Sequence, residues 1–353
     1  MIVRLVGSEM CIRDRATADR LASCFSCGMN DLGLVNALRR TSGLLAKRDI
    51  RSAAATFCHQ PFPQLGLAGM LGDDAAVLPA QTGQLLLACE GMHPGLVEED
   101  PWFAGWSGVL VNLSDIAAMG GRPLALVNSV WSAGAEDISA LMEGMRFACD
   151  RFGVPMVGGH SNQQSTYQAL SVSVMGVAEG PVLSARAARP GDELWMLVNK
   201  AGSFYRHYPF WDAATHAPPE RLRAQLALLP MLAAEQLVHA AKDISMGGIT
   251  GTAVMFAEAC GHQLVLDLDA VERPEGIHDE AWLTCFPSFG YLLAVNPSRT
   301  AALAQLASRD STLICCRIGH FALGDCSVVV NHSGDTHQFW DGTDVLTGFG
   351  CVR

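Results

Sequence analysis

A chain of 353 residues, half of them hydrophobic and 17% charged, is long enough for two domains that each bury a core, and its composition excludes intrinsic disorder. The net charge of −11 argues against nucleic acid as the main partner, because phosphate backbones are bound by basic surfaces. No apolar run reaches the roughly 20 uncharged residues that a membrane helix needs; the richest stretch, 106–131, is interrupted by Asn112, Asp115, Arg122 and Asn128. The 12 cysteines follow no repeating spacing, which points to reduced thiols in a cytoplasmic protein rather than to a disulfide framework.

In chain order, residues 4–14 (RLVGSEMCIRD) resemble a translated transposase adapter from library preparation, so residues 1–15 are set aside from the fold. Residues 31–57 are predicted helical, with Leu34, Val35, Leu38 and Leu45 near one face. A Gly- and Pro-containing loop over 60–72 leads to short strands at 75–78 and 84–89. The clearest helix is 135–152, where Ile138, Leu141, Met142, Met145, Ala148, Cys149 and Phe152 recur at helical spacing before Gly153 and Pro155. A turn at Gly158-Gly159 follows, then a strand in which Leu170, Val172 and Val174 alternate with Ser171 and Ser173. The short Pro- and Gly-containing stretch at 185–192 divides the chain into domains at 16–185 and 186–353. In the second half, helices are expected at 219–241, interrupted by Pro230, and at 251–260. Strands are expected at 194–198, 263–269, 290–295, 313–318 and 327–331. Helices and strands in both halves make the fold class α/β or α+β.

Five segments carry candidate chemistry. In Gly72-Asp73-Asp74-Ala75-Ala76-Val77, two adjacent carboxylates repel unless a hard divalent cation joins them, although Gly-Asp-Asp also makes an ordinary surface turn. Glu90 closes the strand from 84 and is placed to share such an ion, or is simply a solvated strand end. Asn112 and Asp115 lie one helical turn apart, with Ser114 between them, in VNLSDIAAMGGRP; they either face one site or cap a buried helix. Gly158, Gly159, His160 and Ser161 form a strand end whose backbone N–H groups suit a phosphate, with a structural histidine as the alternative. Asp243, Gly247 and Gly248 precede a helix whose free N–H groups suit an anion, or else form an ordinary helix start.

The order GDDAAV, strand-end acid, NLSDIAAMGGRP, GGHSN, ARPGD, DISMGGITG and SFG is similar to that of the AIR-synthetase superfamily, over about 72–319. That group includes selenophosphate synthetase and thiamine-monophosphate kinase. The resemblance implies a PurM-like two-domain fold: an N-terminal sheet domain that dimerises into a barrel-like core, and a C-terminal α/β domain. It also implies an enzyme that uses ATP with Mg2+ to phosphorylate or activate a small-molecule substrate, as a homodimer. Asp73, Asp74, Glu90 and Asp115 become the metal carboxylates, and Asp73, Asp115 and Asp243 the catalytic acids. Gly72, Asn112, Ser114, Gly158, Gly159, His160, Ser161, Gly247 and Gly248 become nucleotide contacts.

Three departures stand out. His160 replaces the acid of a GGDT motif, and Glu90 stands where aspartate is usual; both leave room for a catalytically degenerate nucleotide-binding scaffold. Residues 199–213, with Lys200, Arg206, His207 and Tyr208, replace a short glycine-rich turn. They either read an anionic or aromatic substrate or pack as a surface loop. A thiol or metal role for Cys24, Cys27, Cys315 and Cys316 is a further alternative.

Overall fold

The computed structural model describes residues 31–50, 73–79, 83–132 and 135–348. Two short helices, α1 (Asp31–Leu38) and α2 (Ser42–Ala46), and a 3-10 turn (Lys47–Ile50) replace the single helix expected at 31–57. The break falls at Arg39-Arg40-Thr41, where the Thr41 hydroxyl donates to the Leu38 carbonyl and its backbone leaves helical geometry. Periodicity alone does not report that break, because Val35, Leu38 and Leu44 all still reach the core.

The first sheet contains β1 (Ala76–Pro79), β2 (Gln84–Gly91), β3 (Arg122–Trp131), β4 (Met156–Asn162) and β5 (Ala169–Ala178), in the order β1-β2-β5-β3-β4. All its pairings are antiparallel except β3 with β4. That parallel pair is joined by α5 (Ala135–Phe152), the crossover helix such a pair requires. After β2 the chain forms α3 (Pro94–Glu99) and the long α4 (Pro101–Ala118). Prolines open both helices at positions where no N–H is needed, and the Asp100 carboxylate caps α4 by accepting from Phe103 N at 3.1 Å.

Helix α4 has no polar face: from Phe103 to Ala118 only Ser107 and Ser114 are not fully buried. It lies against one face of the sheet on Leu86, Leu126, Val172 and Val174, and α5 packs beside it. The two helices approach at a pair of glycines. A Cβ on Gly105 would sit 2.1 Å from the Leu141 carbonyl oxygen, and one on Gly144 would sit 2.0 Å from that of Trp102. The other face of the sheet is left open by the described residues: Leu87, Val127 and Met175 are 47, 43 and 43% exposed.

The second sheet begins at Glu193, 15 residues after the first ends at Ala178. It holds β6 (Glu193–Asn199), β9 (Ala240–Asp243), β10 (Gln263–Asp267), β12 (Gly290–Val295), β13 (Leu313–Ala322), β14 (Val328–His332) and β15 (Asp335–Trp340), ordered β15-β14-β10-β13-β6-β12-β9. A small third sheet is made by β7 (Ser203–Phe204), β8 (Phe210–Asp212) and β11 (Phe286–Pro287). Helix α8 (Gly248–Cys260) covers one face of the large sheet. Helices α6 (Pro219–Leu226), α7 (Leu228–Ala234), α9 (Asp279–Thr284) and α10 (Thr300–Ala307) complete the domain.

The sequence expectation of helix over 219–241 is corrected in two ways. Pro230 sits in the first turn of α7, where its missing N–H costs nothing, and the helix breaks at Ala227 instead. Residues 240–243 form β9, whose four residues are all buried against β12; burial there overrides the helix-compatible Ala-Ala-Lys sequence. Among the described residues no helix is long and apolar enough to cross a membrane.

The two sheets meet through α4. Its C-terminal Ala117 and Ala118 belong to the apolar cluster of Leu229, Leu232, Ala241 and Leu293 in the second half. The connector is stitched to both, with Leu183 N donating to the Met119 carbonyl and Ala241 N to the Leu183 carbonyl, each at 3.0 Å. This places the last turns of α4 beside β9.

The glycine contact between α4 and α5 is testable. Gly105→Ala is expected to destabilise the protein by about 2–3 kcal/mol, the typical cost of overpacking a tight core, as measured by chemical denaturation. A cost below about 0.5 kcal/mol would show that the helices can separate freely.

Candidate active site

The chain turns that bring α4 to β9 also open a cleft of about 740 Å³ between the two halves. Six carboxylates line it. Asp73, Asp74, Glu90, Asp115 and Asp243 stand with Lys47, Lys242, Ser245 and Met246, and Asp212 of β8 lines it as well, its Oδ1 accepting from Ala214 N and Thr215 N. Each comes from a different device. Asp73 and Asp74 immediately precede β1, and Glu90 is carried within β2, which runs on to Gly91 rather than ending at Cys89. Asp115 projects from α4, and Asp243 ends β9.

The first two acids tie the halves together. Asp73 accepts hydrogen bonds from Ser184 Oγ at 2.5 Å and Ala185 N at 2.8 Å, on the connector. Asp74 forms a buried ion pair with Lys242 Nζ and accepts from Asp243 N at 3.2 Å. Burial alone would lower the Lys242 pKa, but the adjacent Asp74 and Asp243 carboxylates outweigh it and raise it, so this ammonium stays charged.

The remaining acids are crowded. Burial, and then the charges of Asp243, Glu90 and Asp74, hold the Asp115 carboxyl well above the usual aspartate range. One of its oxygens, Oδ2, is buried with no hydrogen-bond partner. Asp243 is pushed up to about 7, chiefly by burial and next by Asp74, with Lys242 and Lys47 opposing. Asp73 is raised by burial, against the hydrogen bond from Ser184. Glu90 is also raised, mainly by desolvation and opposed by Lys47. By surface area Glu90 is exposed, so its desolvation comes from standing inside a concavity rather than from being covered.

The other expected nucleotide contacts are not gathered here. Asn112 is fully buried; its Nδ2 donates to the Gly108 carbonyl at 2.8 Å and its Oδ1 has no partner. Ser114 hydrogen-bonds Tyr291 at the seam between the halves. Gly158, Gly159, His160 and Ser161 lie within the exposed strand β4, separated from β2 by β3 and β5. The expected turn at the two glycines is absent, because β4 continues through them. Gly159 is instead needed for room: a Cβ there would sit 2.6 Å from Asn128 Oδ1 on β3. Gly247 and Gly248 open α8, and Gly248 adopts φ +67° where a Cβ would sit 2.4 Å from the Leu283 carbonyl oxygen, so packing already accounts for it. Gly72, Cys24 and Cys27 lie outside the described residues. Cys315 and Cys316 sit side by side on β13, and burial pushes their thiols to about 12 and about 11, which suits structural rather than reactive cysteines.

Sequence reasoning missed Lys47 and Lys242 as site residues. Lys242 stands next to Asp243 in a motif already singled out, and its neighbour was the available signal. Lys47 reaches the cleft from the turn after α2, and no local pattern announces it.

The donor set suits a hard cation such as magnesium: all oxygen, anionic, and including a buried Asp115 oxygen that lacks a partner. In this conformation no group of three or more His, Cys, Asp or Glu side chains among the described residues converges closely enough to hold a metal ion. Lys242 meanwhile takes one oxygen of Asp74.

Comparison with known proteins bears on this arrangement. An uncharacterized protein of Synechocystis sp. is 42% identical over 318 residues, covering 90% of this chain and 98% of its own length. A selenide, water dikinase of Rhizobium meliloti is 28% identical over 221 residues, covering 60% of this chain and 63% of its own length. Among solved structures, T. maritima PurL complexed with ADP aligns at a TM-score of 0.68 and 18% identity over 88% of this chain, which spans 52% of that longer one. AaThiL complexed with AMPPCP and TMP aligns at 0.58 and 20% identity, covering 75% of this chain and 88% of that one. At these identities the two structures speak for the fold, which is the PurM-like two-domain architecture. Residues 72–179 match the model for the N-terminal domain of AIR synthase related proteins and residues 190–330 that for the C-terminal domain; with a near-full-length relative at 42% identity, the chain belongs to the AIR synthase related family.

Proposed function

We propose that the chain is an ATP-dependent enzyme that transfers, or uses, the γ-phosphate of ATP to activate a small metabolite bound in the cleft. The observation that carries this reading is Asp115, a buried carboxylate on the cleft wall with one oxygen unpartnered and three other acids around it. Such a cluster is costly to keep without a cation. The similarity to a selenide, water dikinase and to a protein solved with AMPPCP supports ATP as the phosphoryl donor.

In this reading Asp74, Glu90 and Asp115 hold magnesium, with Asp73 beside them, and the ion when bound neutralises the phosphates. Lys47 and Lys242 line the same cleft and oppose the charge of its acids. Asp243, raised to about 7, is able to accept the proton of a hydroxyl acceptor. The apolar walls exclude water, so that the phosphoryl group goes to the acceptor rather than to solvent. The backbone of Gly158, Gly159, His160 and Ser161 on β4 is open to a nucleotide. A homodimer formed on the adjoining sheet face would bring that strand next to a second subunit. That face is apolar: Leu87 and Met175 are directly paired across β2 and β5, and Val127 is on β3.

The Lys242 ammonium beside Asp74 favours a second reading, in which the protein binds nucleotide without turning it over because a lysine fills the place of a cation. Calorimetric titration with ATP separates them. Magnesium-dependent binding, weakened by about tenfold or more in Asp115→Asn, together with acceptor-stimulated hydrolysis, supports the enzyme. Nucleotide binding that persists without any turnover supports the sensor or scaffold.

Lys242→Met leaves the buried Asp74 and its neighbours without their ammonium. It is expected to cost about 3–5 kcal/mol in denaturant unfolding, part of which magnesium restores. Loss of stability with no magnesium response counts against the cation site. Val127→Glu is expected to convert a dimer to a monomer in light scattering, and an unchanged mass would place the interface elsewhere.

A further inference from the structure

One wall of the cleft is built by a segment that the proposed chemistry does not use. The hairpin β7–β8 leaves the C-terminal domain and lays its tip on the N-terminal helices α3 and α4. Tyr205 Oη donates to Asp100 Oδ2 at 2.7 Å, and Arg206 pairs with the same oxygen at 2.9 Å. Tyr208 Oη donates to Glu99 Oε2 at 2.5 Å, and His207 lies 3.4 Å from the other oxygen of Glu99. The Tyr205 ring stacks on Phe103 with centroids 3.6 Å apart, and Tyr208 stacks on Phe210 at 5.2 Å. Phe210 in turn meets Phe286 edge-on at 6.1 Å. Every polar group at the tip is thereby engaged with an acid of α3 or the cap of α4, and what β8 offers to the cleft is Phe210 and Trp211, followed by Asp212.

The result is a cleft with two unlike ends. One holds Asp73, Asp74, Glu90, Asp115 and Asp243; the other is lined by Leu96, Phe103, Trp106, Leu110, Phe210 and Phe286, with the Asp212 carboxylate two residues from Phe210 on β8. Among the described residues that line the cleft, the only lysines and arginines are Lys47 and Lys242, and both act on the carboxylates. His93 also lines the cleft, but its Nδ1 accepts from Gly95 N at 3.2 Å, which holds that nitrogen unprotonated and the imidazole neutral. A phosphate or carboxylate buried at the apolar end would therefore find no cationic partner among the described lining residues, and its desolvation would be prohibitive. Apolar walls with a few polar groups at one end are the usual form of a small-molecule pocket.

We propose that the acceptor of this enzyme is a small, non-phosphorylated compound with an aromatic or branched apolar body. Phe210 and Phe286 hold that body, and its one nucleophilic group points at the carboxylates. This rests on the reading of the cleft as the active site, but it concerns a different end of it. The acceptor body is selected by exclusion as much as by contact, because an anionic group there would lie unpaired and near the Asp212 carboxylate.

The test titrates the full-length protein with 2-phenylethanol and, separately, with ribose 5-phosphate, following the fluorescence of Trp106 and Trp211, which line the cleft. The expected result is saturable binding of phenylethanol, no saturable response to ribose 5-phosphate, and phenylethanol affinity not reduced by magnesium-AMPPCP. Phe210→Ala is expected to weaken phenylethanol about tenfold, as loss of an aromatic wall does. Phe210→Leu keeps the bulk of the core and is expected to weaken it less. Saturable binding of ribose 5-phosphate with phenylethanol silent overturns the proposal. Competition between phenylethanol and AMPPCP also overturns it, since the apolar end would then be the adenine site. Phenylethanol binding by protein that fails to bind magnesium-ATP supports this acceptor class while overturning the phosphoryl-transfer reading.

Discussion

A single buried ion pair, Asp74 with Lys242, sits where the two halves of the molecule join. The carboxylate precedes the first strand of one sheet, the ammonium lies on the edge strand of the other, and their side chains are 5% and 8% exposed. Removing either partner would leave a charge deep in protein. Two unit charges about 4 Å apart interact by about 4 kcal/mol at an effective dielectric near 20. That is enough for one ammonium to hold its own partner, but not to neutralise Glu90, Asp115 and Asp243 as well. Burial first, and the surplus negative charge after it, raise the proton affinities of those three acids, and the uncompensated charge is the reason the cleft reads as a place for a further cation.

The packing around this pair explains how a protein tolerates such a cluster. Helix α4 is apolar over nearly its whole surface, so it can be pressed between the first sheet, α5 and the second domain at once. The glycines at 105 and 144 let it approach α5 backbone to backbone, and its N-terminal cap is shared with a hairpin from the other domain. Asp115 is therefore carried on an element whose position is fixed from several sides. Hydrophobic burial along α4 holds the acids together against their own repulsion.

The same helix links the two ends of the cleft. Its first turn presents Phe103 to the aromatic wall, its middle presents Trp106 and Leu110, and a turn later Asp115 reaches the charged end. Docking of the β7–β8 hairpin on Asp100 thus acts on the frame that carries the carboxylate. The hairpin segment stands out in the sequence by composition. Of its two possible roles, surface packing is the one that Arg206, His207 and Tyr208 take, on Asp100 and Glu99; neither they nor Lys200 line the cleft, which Phe210 of the same segment faces instead.

The sequence by itself determined the helix 135–152 and the strand 290–295 to the residue, because each is bounded by local signals and buried in a regular pattern. It also singled out Asp73, Asp74, Glu90, Asp115 and Asp243, since acids next to glycines and buried strands are conspicuous along a chain. It could not determine which groups share a site. Only tertiary structure separated the exposed strand of Gly158–Ser161 from the carboxylates, turned Asn112 inward to its own helix, and gave Asp73 to the connector. Lys47 and β9 were likewise decided in three dimensions, one by where a short turn happens to end and the other by burial against β12. The physical reason is common to all of these: propensity and periodicity act between residues a few positions apart, whereas charge balance and burial are settled by groups far apart in the chain, 168 residues in the case of Asp74 and Lys242.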